Sequence, residues 1–286
     1  MKIVTYNIQF TRGRDHRFDL PRVAATVEGA DIIGLQEVDR FWRRTGMQDQ
    51  AEALAEHFPG YFWCFAGGYD VAAALPDPMR ADAASRGRRR QHGNMVLSRW
   101  PILSARTLRL PRGKPAVWSQ DRVLLETVID APSGPLRVYV THLCHISPQT
   151  RLPQVDYLVD LLKTLPIEGA TWSGEHPDPS WTDGDAPPPF PDTMILMGDL
   201  NFSPDAEEYG RMFGADLELI DSWKALNRDP RDPSEYSFRS VRPPDKTIRI
   251  DHIFVSQDLA SRLSSGWIDQ DAQGSDHYPV WVALRD

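Results

Sequence analysis

The chain is poor in cysteine, in positive charge and in long apolar runs. Only two of its 286 residues are cysteine, Cys64 and Cys144, too few for a disulfide framework. Both stand in apolar strings (WCF and HLCHI), without the paired spacing of a thiolate metal site, and read as buried thiols. No apolar run approaches the roughly 18 residues of a membrane span, and nothing resembles an amphipathic anchoring helix. The opening MKIVTYNIQF reads as a strand from Lys2 to Asn7, not as a leader with an apolar centre and a small-residue cleavage site. The expectation is a cytoplasmic chain with no membrane anchor and no obligate protein partner. Lys and Arg number 32 against 40 Asp and Glu, a net charge of −8. Proteins that live by gripping nucleic-acid backbone are usually basic, because neutralising phosphates drives that binding. The charge speaks against tight non-specific DNA binding, but not against a nuclease that grips locally and turns over.

What is present is a succession of short runs rich in Val, Ile and Leu, bounded by Gly, Pro, Asp or Ser. These predict strands near 2–7, 31–36, 61–66, 94–98, 104–110, 122–130, 136–142, 193–198, 249–255, 266–270 and 278–284. Apolar spacings of three and four predict helices over 20–27, 49–57, 154–165 and 206–212. Many strands with few helices suggest two sheets packed together with helices outside. No repeat or compositional break divides the chain. It reads as one domain over 1–286 with inserted loops at about 67–91 and 168–192, the first ending in the basic run Arg86, Arg88, Arg89, Arg90.

Polar residues stand at the ends of these strands. Asn7, Glu37, His142 and the Asp199/Asn201 pair close theirs. Arg122, Asp251 and the Asp276/His277 pair open theirs. Any one of these is more often a cap or turn former than a catalytic group. If the closing strands run up and the opening strands run down, all of them collect on one rim. Glu37, Asp199, Asp276 and the amide oxygens of Asn7 and Asn201 are then hard oxygen donors, suited to Mg2+ or Mn2+ and ill suited to zinc. Two histidines and a spare carboxylate remain to activate water and protonate a leaving oxygen. Asp251 can orient His277, and Arg122 can stabilise phosphoryl charge.

The strings TYNI, LQEVD, GNMVLSRWPI, THL, GDLN, RIDHIFVS and SDHYPV follow one another over residues 1–284. In that order they resemble the endonuclease/exonuclease/phosphatase superfamily, whose members include deoxyribonuclease I-like enzymes. The resemblance implies a four-layered α/β sandwich of two facing mixed β-sheets flanked by helices. It also implies a magnesium-dependent phosphoesterase. By residue, Glu37 is the principal metal ligand, with Asp276 at the metal or its water and Asn7 supporting the metal or the neighbouring Asp199. Asp199 positions or deprotonates water, and Asn201 binds phosphate. His142 lies against the phosphate, and His277, paired with Asp251, is base or transition-state stabiliser. Relatives often carry an acid just before the Gly-Asn pair, where it orients the histidine of THL. Here the string is Gln91-His92-Gly93-Asn94, which leaves Gln91, Asn94 or Asp70 as candidate orienters of His142.

The substrate must be read from loops, since fold and catalytic set do not choose among family members. The basic run can bind a second phosphate or simply be solvated. Trp118 and Phe41-Trp42, beside Arg43 and Arg44, can stack on a base or pack as a rim. The acidic charge favours a small organic phosphate or phosphodiester, with nucleic acid the alternative. A catalytically dead binding scaffold is the competing class, and the presence of Glu37, Asp199 and His277 argues against it.

Overall fold

The structure is a computed structural model that describes residues 1–73, 79, 82–113, 119–213 and 217–285. Its strands are β1 (Lys2–Asn7), β2 (Ile32–Arg40), β3 (Phe62–Ala72), β4 (Arg89–Ser98), β5 (Ile102–Arg109), β6 (Val123–Ala131), β7 (Gly134–His142), β8 (Met194–Asp199), β9 (Leu219–Asp221), β10 (Phe238–Arg239), β11 (Thr247–Ile248), β12 (Asp251–Ser256), β13 (Leu263–Ile268) and β14 (Val280–Leu284). The helices are α1 (Leu20–Thr26), α2 (Gln50–Glu56), α3 (Ala83–Arg86), α4 (Pro148–Glu168), α5 (Glu207–Phe213), α6 (Ser222–Ala225) and α7 (Gln257–Ala260).

Two six-stranded sheets carry the molecule, ordered β13-β14-β1-β2-β4-β3 and β5-β6-β7-β8-β12-β9, with a small hairpin of β10 and β11. Each sheet has one parallel pair at its centre, β1 with β2 and β7 with β8, and antiparallel strands outside it. The sheets face each other across a core in which Ile3, Ile32 and Val96 of one meet Val138, Val140, Ile195 and Met197 of the other. The alternate residues of the same strands turn outward. Val4, Ile33 and Leu35 pack under α1 and α2 through Val23, Ala51 and Leu54. Leu124, Tyr139 and Leu196 pack under α4 and α5 through Val155, Leu158 and Met212. Strands buried on both faces read as unbroken apolar runs, which is why MILM and IIGL alternate so little. The result is the layered sandwich of two mixed sheets between helices.

The strand directions are those the rim requires: β12 runs antiparallel to β8 and β14 antiparallel to β1. Four expectations need correction. Residues 67–91 are not one irregular insertion, because β3 continues to Ala72 and β4 begins at Arg89. The pairs Asp70↔Gln91 and Ala72↔Arg89 lengthen the hairpin into a ribbon. Glu37 does not close its strand, since β2 runs on to Arg40. Asp276 and His277 lie in the turn before β14, three or more residues ahead of its first paired residue. Helix α4 starts at Pro148, six residues earlier than the apolar spacing shows, because proline is tolerated in a first turn. The short β9, β10 and β11 carry too few residues for a periodicity to be read. The 168–192 segment begins at the end of α4 and returns to β8 at the end of the sheet opposite the rim, where Arg106 and Arg137 donate to the carbonyls of Ala170 and Asp192.

Two glycines of the quoted strings allow close backbone approach. A Cβ on Gly198 would stand 1.9 Å from the Thr141 carbonyl oxygen, and one on Gly93 1.9 Å from that of Ala66. Gly198→Ala must therefore push β8 from β7. We expect it to cost about 3 kcal/mol or more, read as a lower urea midpoint with an unchanged slope. A midpoint equal to wild type would contradict this close approach.

Candidate functional site

The register lines the rim up residue by residue. His142 ends β7 and pairs with Asp199, the end of β8. Asp199 in turn faces Asp251, the start of β12. From the other sheet, Asn7 ends β1 beside Gln36 of β2. The next residue, Glu37, sits in a bulge: Leu35 pairs with Met95 and Val38 with Gly93, so Gln36 and Glu37 together oppose Asn94. Glu37 has φ +59°, and Asn201 has φ +55°. Positive φ in a residue with a side chain is a strained state that clusters at functional sites. Here the bulge re-aims a side chain out of the ladder, and the Glu37 carboxylate reaches the rim.

The polar contacts form one network. Asn7 Nδ2 donates to Asp199 Oδ2 at 2.9 Å and to Glu37 Oε1 at 3.2 Å. Asn7 Oδ1 accepts the Gln9 N–H at 3.0 Å. The amide nitrogen, not the oxygen, is therefore what Asn7 turns toward the carboxylates, and it orients Glu37 and Asp199. Asp251 Oδ2 bonds His277 Nδ1 at 2.8 Å, while His277 Nε2 stands 3.7 Å from Asp199 Oδ2. His142 Nε2 lies 3.2 Å from the same Asp199 oxygen. The Asn201 N–H donates to Asp199 Oδ1 at 3.0 Å. Asp276 Oδ2 accepts from Gln9 Nε2 at 2.8 Å. Arg122 is buried, with Nη2 3.3 Å from His145 Nδ1. One cleft of about 510 Å³ opens over Glu37, His142, Asp199, Asn201, Asp276 and His277. Its walls include Ile146, Pro148, Phe202, Phe238, Lys246 and Ile248.

None of the three candidate orienters touches His142. Gln91 bonds Asp70 and Arg40, Asp70 pairs with Arg89, and Asn94 donates to the carbonyls of Val123 and Val140. Asp199 is the partner the structure provides. His92 is buried on β4 with Nδ1 2.8 Å from Asp39 Oδ1. Gln9, His145 and Ser237 complete the site and were not foreseen. Gln9 and Ser237 are uncharged and lie outside the strand-end pattern, so only the fold reveals them. The basic run packs onto its neighbours. Arg88 lies over Phe41 and Arg90 over Trp42, while Arg44 lies 4.0 Å from the Phe10 ring centre and 4.1 Å from that of Trp42. Trp118 lies outside the described residues.

Burial sets the electrostatics. Desolvation lifts the Asp199 carboxyl to about 7, against the opposing pull of His277. It raises Asp276 as well, with Glu37 adding repulsion. His277 is also desolvated, yet Asp251, Asp199 and Asp276 outweigh that and raise it to about 10. His142 goes the other way, well below the ordinary histidine value, because burial and the Arg122 charge both disfavour its cation. Among the described residues, Asp199, Asp251 and His277 each bring one ligand atom within 4.8 Å of the others, a donor set able to hold a divalent metal.

The two histidines are thus opposite in charge state near neutral pH. Ring NMR of metal-free protein is expected to show His142 titrating well below the ordinary histidine value and His277 well above it, near pH 10. Because the folded pKa of His277 is raised, the stability it contributes is full below about 6.5, its unfolded value, and is lost as pH rises through about 10. Free-histidine titration of either ring would overturn the assignment.

The Endonuclease/Exonuclease/phosphatase family model matches residues 4–277. Over 98 residues the chain is 35% identical to exodeoxyribonuclease III of Haemophilus influenzae, a stretch covering 32% of this chain and 36% of that protein. The match thus spans about a third of that curated relative. Among solved structures, an endonuclease/exonuclease/phosphatase from Beutenbergia cavernae superposes with a TM-score of 0.68 at 22% identity, over 100% of this chain and 71% of that one. A mannosyl-6-phosphatase from Bacteroides thetaiotaomicron gives 0.62 at 20% identity, over 100% of both chains. A 3′-5′ exonuclease from Neisseria meningitidis gives 0.60 at 18%, also over 100% of both. At such identities the structures speak to the fold alone. With the family pattern spanning nearly its whole length, the chain belongs to the endonuclease/exonuclease/phosphatase family.

Proposed function

We propose that the chain is a magnesium-dependent phosphoester hydrolase acting on a small organic phosphate or phosphodiester. The observation that carries the reading is the series Asp251–His277–Asp199–Asn7, joined by two hydrogen bonds and one ion pair at 3.7 Å, of which His277 and Asp199 line one cleft. Glu37 and Asp276 would hold the metal; Asp199, Asp251 and His277 also stand close enough to ligate one, but a His277 held protonated has no lone pair to give. The fit is physical: desolvation and the nearby Glu37 carboxylate both disfavour the charge of Asp276, which a cation between them would relieve, and hard oxygen donors of this kind suit Mg2+. When bound, the metal would polarise a phosphoryl oxygen and offset charge as the ester bond breaks.

The chain's own groups divide the remaining work. Asp199, lifted to about 7, is matched to accept a proton from water near neutral pH. His277 is held protonated by its carboxylates and donates from Nε2 to phosphoryl oxygen, while Asp251 fixes Nδ1. His142, kept neutral, sets Nε2 against Asp199 without adding charge. Asn201 lines the cleft and adds a polar contact to the phosphoryl group, while Arg122, buried outside the cleft lining, contributes positive charge from behind His142 and His145.

The cleft walls favour a compact leaving group. Ile146, Pro148, Phe202, Phe238 and Ile248 are apolar, and Lys246 adds one cation. Trp42, covered by Arg44 and Arg90, has little face left for a base. The net charge of −8 adds general repulsion against a polyanion. The relation to exodeoxyribonuclease III, and Arg43 and Arg88 with no carboxylate partner among the described residues, favour nucleic acid instead.

The test is turnover of a phosphomonoester panel, bis-nitrophenyl phosphate and plasmid DNA, with magnesium, manganese or chelator. We expect metal-dependent turnover, reduced about 1,000-fold or more in both Glu37→Ala and His277→Ala. A compact phosphoester should be preferred, with a shallow salt dependence. DNA as the best substrate, with a steep loss of binding in salt, would transfer the assignment to a nuclease. Absence of turnover with any member would support a binding scaffold.

A further inference from the structure

We infer that Ser237 is a positioning residue that sets the Asp251–His277 pair, an inference resting on the phosphoester-hydrolase reading above. A serine hydroxyl has one proton to give and two lone pairs to receive with. In Ser237 all three are committed. Its Oγ accepts the N–H of Ile250 at 3.0 Å and that of Asp251 at 2.9 Å. Both lone pairs are then occupied, and the proton has one direction left, toward Asp251 Oδ2 at 2.7 Å. That same oxygen receives His277 Nδ1 at 2.8 Å. The other oxygen of Asp251, Oδ1, is buried without a partner among the described residues. Two donors on a single oxygen are therefore what hold a fully buried carboxylate in one rotation.

The backbone of the same residue ties down the other half of the pair. The Ser237 N–H bonds the Ile248 carbonyl at 3.2 Å, and its own carbonyl accepts the N–H of Tyr278 at 2.6 Å. The next residue, Phe238, bridges to His277 and sets its ring edge-on to the imidazole, with centroids 5.0 Å apart. Ser237 thus clamps the start of β12, which carries Asp251, to the turn that carries His277. It bonds the backbone of the wall residues Ile248 and Ile250 but does not itself line the cleft, and its hydroxyl bonds Asp251, not the cleft-facing Nε2 of His277. Its influence on turnover runs through Asp251. Removing the hydroxyl leaves Asp251 with His277 alone as its hydrogen-bond donor, and the aim of Nε2 loosens.

The experiment measures kcat and KM on the best panel substrate with magnesium for wild type, Ser237→Ala, Ser237→Thr, Asp251→Asn, the Ser237→Ala/Asp251→Asn double variant and His277→Ala. Thermal melts confirm that each is folded at the assay temperature. Ser237→Ala is expected to lower kcat about 10- to 100-fold, the usual cost of removing such a supporting bond, with KM within about twofold, because no substrate contact is lost. Ser237→Thr keeps the hydroxyl and should recover most of that loss. The double variant should be no slower than Asp251→Asn, because the serine acts through that carboxylate. A folded Ser237→Ala with wild-type kcat, failure of threonine to recover activity, or multiplicative losses in the double variant would each overturn the inference. If His277→Ala is inactive while Ser237→Ala is fully active, the inference alone fails. If His277→Ala also turns over like wild type, the hydrolase reading goes with it.

Discussion

Everything at the rim answers to one constraint: several carboxylates are held close together where the two sheets meet, shielded from the water that would normally separate them. Asp199 and Asp251 are almost wholly buried, and Glu37 and Asp276 crowd in beside them. Such an assembly is unstable unless it is compensated. The compensation is specific: an imidazolium between two carboxylates, a buried guanidinium, an asparagine amide and backbone N–H groups. The same imbalance that costs stability makes one carboxylate basic enough to take a proton and leaves room for a cation. Structure and proposed chemistry are in this sense one electrostatic arrangement.

Much of this was legible in the sequence, and the reasons are local. Strands buried on both faces announce themselves as apolar runs, so β1, β6, β7, β8, β12 and β14 were foreseen close to where they lie. A polar residue at the end of such a run is conspicuous, so Asn7, His142, Asp199 and Asp251 could be picked out one by one. That they would meet depended on strand direction, which composition does not encode. Other features were hidden. Glu37 looked like a strand terminus because nothing in LQEVD reveals a bulge. The pairing of His92 with Asp39 was hidden because the two are neighbours only across two paired strands. Gln9 and Ser237 carry no charge and occupy no periodic position, so their part in the site appears only once the chain is folded.

The extended ribbon of β3 and β4 shows how a basic run can mislead. Four arginines within five residues suggest a free cationic surface. In the fold, Arg89 is paired with Asp70, while Arg88 and Arg90 lie over the rings of Phe41 and Trp42. The aromatic faces that might have received a ligand receive the protein's own guanidinium groups, an attraction worth about 0.5–1 kcal/mol at exposed sites. The ribbon stiffens one flank of the rim.

The bulge at Gln36 and Glu37 has a further consequence, for insertions and deletions. Ahead of it, Ile33 and Leu35 face the outer helices; beyond it, Val38 does so, and Asp39 turns inward to His92. The extra residue reverses the alternation of everything that follows in β2. Removing one residue there would restore an uninterrupted ladder with Met95, Asn94 and Gly93 and would leave Val38 outward and Asp39 inward, since each already stands opposite its β4 partner. What would be lost is the carboxylate that the bulge turns out of the ladder. The extra residue thus serves the rim and not the sheet: a deletion at this place would spare the strand pairing while it removed the acidic group.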